Sequence, residues 1–245
     1  MSMKDKVLLL TGAAGSIGQE IATQFLSAGA SVLLLDTNEE ALQKFHGQLE
    51  SFGDRVASAV YDAASVESNV AAAQIALETF GRIDYVVPSA GIYPEGQLEQ
   101  VSVQQWNQLM DINLNSAFYL LKEVIPHLEA GASIVLIGSV AGQRGSANHT
   151  PYAASKAALG GIARSLSVEL GPRDIRVNVV APGVIDNSMS KELRRDGDES
   201  LILMTPLGRL GRAAEVASVV HFLCSSGASY VSGETINVNG GMHRA

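Results

Sequence analysis

Tyr152 and Lys156 stand four residues apart, and Ser139 precedes Tyr152 by thirteen. On a helix, four residues bring two side chains onto one face, so the ammonium of Lys156 lies beneath the phenol of Tyr152. A free tyrosine ionises near pH 10, and bringing it to about 7 takes roughly 4 kcal/mol of preferential phenolate stabilisation. One positive charge about 4 Å away, at an effective dielectric of about 20, supplies about that much. The chemistry implied is proton transfer to or from a reacting oxygen, with the Ser139 hydroxyl as a hydrogen-bond donor to the same atom.

Such groups need a scaffold, and the chain alternates short apolar runs with longer helical patterns. The runs are 7–10, 31–35, 56–61, 83–87, 133–137, 175–180 and 235–238; helical spacing fills 17–28, 39–52, 66–80, 104–128, 153–170 and 213–223. Strands that are apolar on both faces, separated by helices, call for a parallel sheet covered on each side. The expected fold is α/β, a doubly wound parallel sheet of Rossmann type in a single three-layer domain over residues 1–245. The polar stretch 184–211, with Lys191, Arg194, Arg195, Asp196 and Asp198, breaks this rhythm and is expected to form a substrate lid that includes Met189 and Leu193. Ser139 follows a strand, which puts it at the carboxyl edge of the sheet, where ligands of such folds bind.

The first strand runs into Thr11-Gly12-Ala13-Ala14-Gly15-Ser16-Ile17-Gly18 and then at once into a helix. A strand, glycine turn and helix present backbone N–H groups and a positive helix end to a pyrophosphate, so Gly12, Gly15, Ser16, Ile17 and Gly18 are candidate cofactor contacts. The second strand ends at Asp36, where a carboxylate can accept both hydroxyls of an adenosine ribose. Thr37 and Glu40 have capping-box spacing, which would leave Asp36 free for that role. No Arg or Lys lies between Ala13 and Gln43 to pair with a 2′-phosphate, so NAD(H) is expected rather than NADP(H).

With these features in place, the chain resembles the short-chain dehydrogenase/reductase family over essentially its whole length. The resemblance rests on the Thr11-Gly12 turn, Asp62, Ala90-Gly91, Asn113, Ser139, Tyr152-Ala153-Ala154-Ser155-Lys156, Asn178 through Pro182-Gly183, and the stretch from Gly233 to Gly241. It implies a catalytic tetrad. Tyr152 is then the general acid/base and Ser139 the group that positions the substrate oxygen. Lys156 lowers the tyrosine pKa and holds the nicotinamide ribose, and Asn113 anchors a proton-relaying water. It also implies that Asp62 meets the adenine, that Ala90 and Gly91 line the cofactor pocket, and that Pro182, Gly183, Ile185 and Asn187 meet the nicotinamide.

The chain departs from the family pattern at three places. Ser16 stands where the family usually has glycine, Pro88-Ser89 replaces two asparagines, and Asn187 replaces a threonine. The two missing asparagines and the backbone donor lost at Pro88 imply weaker support beside the cofactor.

Composition excludes several classes of function. A net charge of -8 and a pI near 5.1 repel nucleic acid and anionic lipid. One cysteine, Cys224, allows no intrachain disulfide, and no metal-ligand spacing occurs, so no metal is expected. The N-terminal apolar run is too short for a signal peptide or membrane span, so a cytoplasmic protein is expected. The apolar stretches from Trp106 to Leu128 and from Ala228 to Met242 suggest a homotetramer.

The expected reaction is hydride transfer between NAD(H) and a secondary alcohol or ketone. The pocket residues Ile92, Tyr93, Pro94, Gln143, Arg144, Asn148 and His149 tilt the expectation toward a small polar substrate, such as a polyol, sugar or hydroxy acid. One alternative is a 3-oxoacyl-thioester (acyl-carrier-protein) reductase. Its acidic carrier needs a basic docking face, and the chain offers Glu129 and Arg173 at the expected corner. A second alternative, of another class, is a catalytically silent NAD-binding regulator.

Overall fold

The computed structural model describes residues 2–187, 189–190 and 197–244. Seven strands form one parallel sheet: β1 (Val7–Thr11), β2 (Ser31–Asp36), β3 (Val56–Val60), β4 (Tyr85–Pro88), β5 (Ser133–Ile137), β6 (Arg176–Pro182) and β7 (Thr235–Val238). Their spatial order is β3-β2-β1-β4-β5-β6-β7. The order reverses between β1 and β4, which opens a crevice at the carboxyl ends of those two strands.

Alternation along each strand divides the core. Leu8 and Leu10 of β1 join Val32 and Leu34 of β2 on one face, packed against α1 (Ser16–Ser27) and α2 (Glu39–Gln48) through Ile21, Phe25, Leu42 and Phe45. Leu9, Leu33 and Leu35 point to the other face. There they meet α3 (Val66–Phe80) through Ala72 and Ala76. These strand leucines are fully buried, each contributing about 2 kcal/mol of hydrophobic stabilisation. Two layers of helices over one sheet are the three-layer fold that the alternation predicts.

The expected helix 104–128 is broken into segments. α4 (Val103–Met110) leads into a π-helical turn, Asp111–Asn115, then α5 (Ser116–Val124) and a short 3-10 turn, Ile125–His127. A π turn inserts an extra residue into the helical ladder and re-aims the side chains on it. Here it turns Asn113 into the protein, toward Ile92.

α6 (Val140–Arg144) and α7 (Thr150–Leu170) follow β5, and α7 carries Tyr152 and Lys156. The expected lid contains a short helix, α8 (Glu199–Leu203), and is stitched to the domain where Ile185 bridges Gly211 and Leu207 N–H donates to Gly240 O. Its residues Ser188, Lys191, Leu193, Arg194, Arg195 and Asp196 lie outside the described residues. α9 (Ala213–Cys224) completes the first layer beside α1. Among the described residues, no helix is long and apolar enough to cross a membrane.

Candidate active site

A cleft of about 880 Å³ lies over the β1/β4 reversal, a size that suits a cofactor with a small substrate. Its floor is the glycine turn. Gly12 adopts φ +65°, and a Cβ there would meet Ala90 N at 2.8 Å. Gly18 lies so close to the turn that a Cβ would sit 2.2 Å from Gly12 O. No side chain caps the start of α1, so the first-turn N–H groups of Ser16, Ile17 and Gly18 face the cleft with their helix-end dipole. These glycines form a cradle that suits a dinucleotide pyrophosphate.

Asp36 lines the same cleft, where its carboxylate also ties the backbone together. One carboxylate oxygen accepts Ala14 N–H and the other accepts Asn38 N–H, each at 3.0 Å, tying the glycine turn to the end of β2. Each oxygen keeps a second lone pair for a hydroxyl. The expected Thr37/Glu40 capping box does not form. Asn38 is the N-cap of α2, accepting Ala41 N–H at 3.0 Å, because its position places the side chain one residue closer to the first turn.

Gly15, Asp62, Ala90, Gly91, Pro182, Gly183, Ile185 and Asn187 all line the cleft. Asn187 spends its side-chain oxygen on Ser190 N–H at 3.1 Å, which leaves its amide nitrogen for a ligand. The support expected to be lost at Pro88-Ser89 comes from Thr11. Its hydroxyl oxygen accepts both Ser89 N–H and Ala90 N–H at 3.1 Å.

Ser139, Tyr152 and Lys156 converge at the other end of the cleft. Ser139 is extended and caps α6 by accepting Ala141 N–H, and its hydroxyl pulls the pKa of the Tyr152 phenol down. Lys156 is buried, donates to Ile137 O at 2.8 Å, and places its Nζ 5.8 Å from the centre of the Tyr152 ring.

The expected acid shift of the phenol is not what the protein atoms produce. Burial pushes Tyr152 up to about 12 against the downward pull of the Ser139 hydroxyl. Burial also pulls Lys156 down to about 8. Bringing both groups out of water costs each charged form more than one ammonium at this distance returns.

Asn113 does not line the cleft. It is buried behind it, where Oδ1 accepts Ile92 N–H at 2.8 Å and Nδ2 donates to Ile92 O at 2.9 Å and Ser155 Oγ at 3.4 Å. It does lie near Lys156: a Cβ on Gly91 would be 3.4 Å from Asn113 Oδ1 and 3.5 Å from Lys156 Nζ. The amide thus sets the backbone between β4 and the lysine.

The polar pocket expected from the sequence is largely absent. Gln143, Asn148 and His149 do not line the cleft, and neither does Pro94. Asn148 takes a left-handed φ of +60° and turns toward Glu95, while His149 is buried against Tyr93. The cleft lining outside the glycine cradle includes the apolar Ile92, Tyr93, Val184, Met189, Leu201 and Met204, together with the polar Arg144, Ser146, Asn187 and Ser190. Leu201 and Met204 carried no sequence signal. They reach the site because the segment 198–204 folds back over it, which no local spacing reports.

The chain is similar to known proteins over its whole length. A family model described as enoyl-(acyl carrier protein) reductase matches residues 12–243. The 3-oxoacyl-[acyl-carrier-protein] reductase of Pseudomonas aeruginosa is 42% identical over 245 residues, 99% of each chain. That of Escherichia coli is 39% identical over 245 residues, also 99% of each. A solved short-chain dehydrogenase/reductase from Brucella melitensis, titled glucose/ribitol dehydrogenase, superposes with a TM-score of 0.96 at 41% identity over all of both chains. A protein from a metagenomic library, solved in complex with NADPH, superposes at 0.94 with 30% identity over all of both chains. On this full-length agreement of sequence and fold, the chain belongs to the short-chain dehydrogenase/reductase family of nicotinamide-dependent oxidoreductases.

Proposed function

We propose that the protein reduces the 3-oxo group of an acyl thioester, with NADH as the preferred reductant. The observation that carries this reading is the apolar part of the cleft lining, from Ile92 to Met204, which suits an acyl chain better than a polyol. The names of the relatives that match over 99% of their length support the same substrate class.

In this reading the substrate oxygen sits between Ser139 and Tyr152. A phenol held near 12 is fully protonated at neutral pH, and a proton donor is what ketone reduction requires. Lys156, at about 8, is still mostly cationic at pH 7 and stabilises the phenolate left after donation. Asn113 holds the Ile92 backbone and so keeps the wall beside that oxygen in register. Ser16, Ile17, Gly18 and Asp36 would hold the pyrophosphate and ribose of the dinucleotide, which supplies the hydride when bound. The lid segment 184–211 would exclude water by bringing Met189, Leu201 and Met204 over the acyl group.

At the corner expected to receive an acidic carrier protein, an acidic and a basic side chain are both exposed. Glu129 is exposed there, and Arg173 donates to Ile125 O and Leu128 O at 3.0 and 2.7 Å. A net charge of -8 opposes such a partner. Small thioesters such as those of coenzyme A are therefore proposed as competent substrates in their own right. A second reading, oxidation of a polyol, sugar or hydroxy acid, is favoured by Arg144 and Ser146 in the lining.

A panel of acetoacetyl coenzyme A, its N-acetylcysteamine analogue, polyols and hydroxy acids separates the two readings. The thioesters are expected to give kcat/KM at least about 100-fold above any alcohol, as befits differential transition-state binding. Turnover of alcohols alone would establish the second reading, and no turnover with any substrate would leave a nucleotide-binding regulator. We also propose a homotetramer, since Val103, Phe118 and Val168 expose apolar surface on the helices around the site. Sedimentation should report four subunits, and a monomer would remove this element.

A further inference from the structure

Beside the Tyr152 ring stands an aromatic stack, running from the cleft residue Tyr93 to the buried His149, that belongs to neither the glycine cradle nor the tetrad. Tyr93 packs edge to face on Tyr152, with ring centres 4.5 Å apart and planes at 83°. Its opposite support is His149, stacked parallel at 4.0 Å and 7°. His149 is only 4% exposed although it lies in the loop before α7. Its Nδ1 lies 2.7 Å from Ala147 O, a pure acceptor, so that nitrogen carries the hydrogen and the ring cannot swivel without losing the bond. Ser146 Oγ lies 3.3 Å from both His149 Nδ1 and the Tyr93 hydroxyl and joins the two rings. The two loops are also pinned by a backbone bond from Gly96 N–H to Asn148 O at 2.8 Å.

We infer that Tyr93, braced by His149, is a positioning residue that holds the Tyr152 phenol against Ser139. The physical reason is a missing constraint. The helix sets where Tyr152 leaves the backbone, but the broad torsion about its ring bond is set by what the ring touches. Leu109 and Ala141 bury the ring from behind, and the Tyr93 ring, itself part of the cleft wall, meets it edge to face and limits how it turns. Without that ring the phenol can turn away from the reacting oxygen, and a misplacement of about 1 Å costs about 100-fold in rate. His149 acts through shape: it fills the space into which Tyr93 would otherwise retreat.

The inference rests on Tyr152 being the acid/base group, and the test keeps the two claims apart. With acetoacetyl coenzyme A and NADH, Tyr93→Ala is expected to lower kcat about 10- to 100-fold while the dissociation constant of NADH, read by fluorescence, stays within about 2-fold. The solvent deuterium isotope effect on kcat should rise, because proton donation becomes slower. A fraction of misfolded enzyme would lower kcat and leave that isotope effect unchanged. Tyr93→Phe, which keeps the ring, and His149→Phe, which keeps the stack, should each restore kcat to within about 3-fold of the parent.

Unchanged kcat in Tyr93→Ala, or a Tyr93→Phe defect as deep as that of Tyr93→Ala, would overturn the positioning role. So would a lowered kcat with an unchanged isotope effect. Turnover that survives Tyr152→Phe would overturn the acid/base reading and this inference together.

Discussion

Replacing Tyr152 by Phe is expected to lower kcat for the 3-oxoacyl thioester by at least about 1,000-fold while leaving NADH affinity within about 2-fold. General acid catalysis alone is worth about 100- to 10,000-fold, and the phenol is the group proposed to supply that proton in the cleft. The substitution removes one oxygen atom and keeps the ring, so the edge-to-face contact with Tyr93 and the burial of the cluster around Leu109 and Ala141 survive. The thermal midpoint should therefore stay close to that of the parent. Loss of fold together with loss of turnover would make Tyr152 a packing residue. The pH profile of the parent adds a check with a definite sign. Lys156 is pulled down to about 8, so its charge is present below that pH and lost above it. Reduction should hold through neutrality and fall as pH rises past about 8.

Asp36→Asn is the second large effect. The parent enzyme is expected to prefer NADH over NADPH by about 100-fold in kcat/KM, and the variant should lose at least about 10-fold of that ratio. Two like charges about 4 Å apart repel by about 1 kcal/mol in water and about 4 kcal/mol at an effective dielectric of about 20. An intermediate value of 2 to 3 kcal/mol corresponds to about 100-fold. The variant also weakens the tie to Ala14 N–H, so NADH affinity should fall modestly as the glycine turn loosens. The ratio of the two cofactors, measured on one preparation, cancels that common loss. A parent enzyme that prefers NADPH would refute the charge argument and leave Asp36 a structural strut of the turn.

The β-α alternation was legible because a parallel strand buried on both faces must be an unbroken apolar run, and Leu8-Leu9-Leu10 and Leu33-Leu34-Leu35 are such runs. The residues of the cleft floor were legible because a glycine turn between strand and helix has one geometry. The break at Asp111–Asn115 was not, since a π turn keeps the same side-chain periodicity on either side and differs only in one added residue. Nor was the cap at Asn38. Thr37 and Asn38 are both capping types, and the choice between them depends on how β2 ends against the glycine turn.

The polarity of the substrate wall was misread for a related reason. Gln143, Asn148 and His149 lie near Tyr152 in the chain, but Asn148 turns out through its left-handed backbone and His149 turns in beneath Tyr93.

The kinds of chemical group in the cleft, and their order along the strand ends, follow from the sequence alone. Residue type and helical spacing are local properties that one chain carries unfolded. Which of those groups hold their protons is a different matter. The phenol at about 12 owes its value to burial, with Ser139 before α6 pulling it down and Tyr93 after β4 pushing it up, and the ammonium at about 8 owes its value to burial. Desolvation is the work of the assembled shell, and no stretch of sequence contains it.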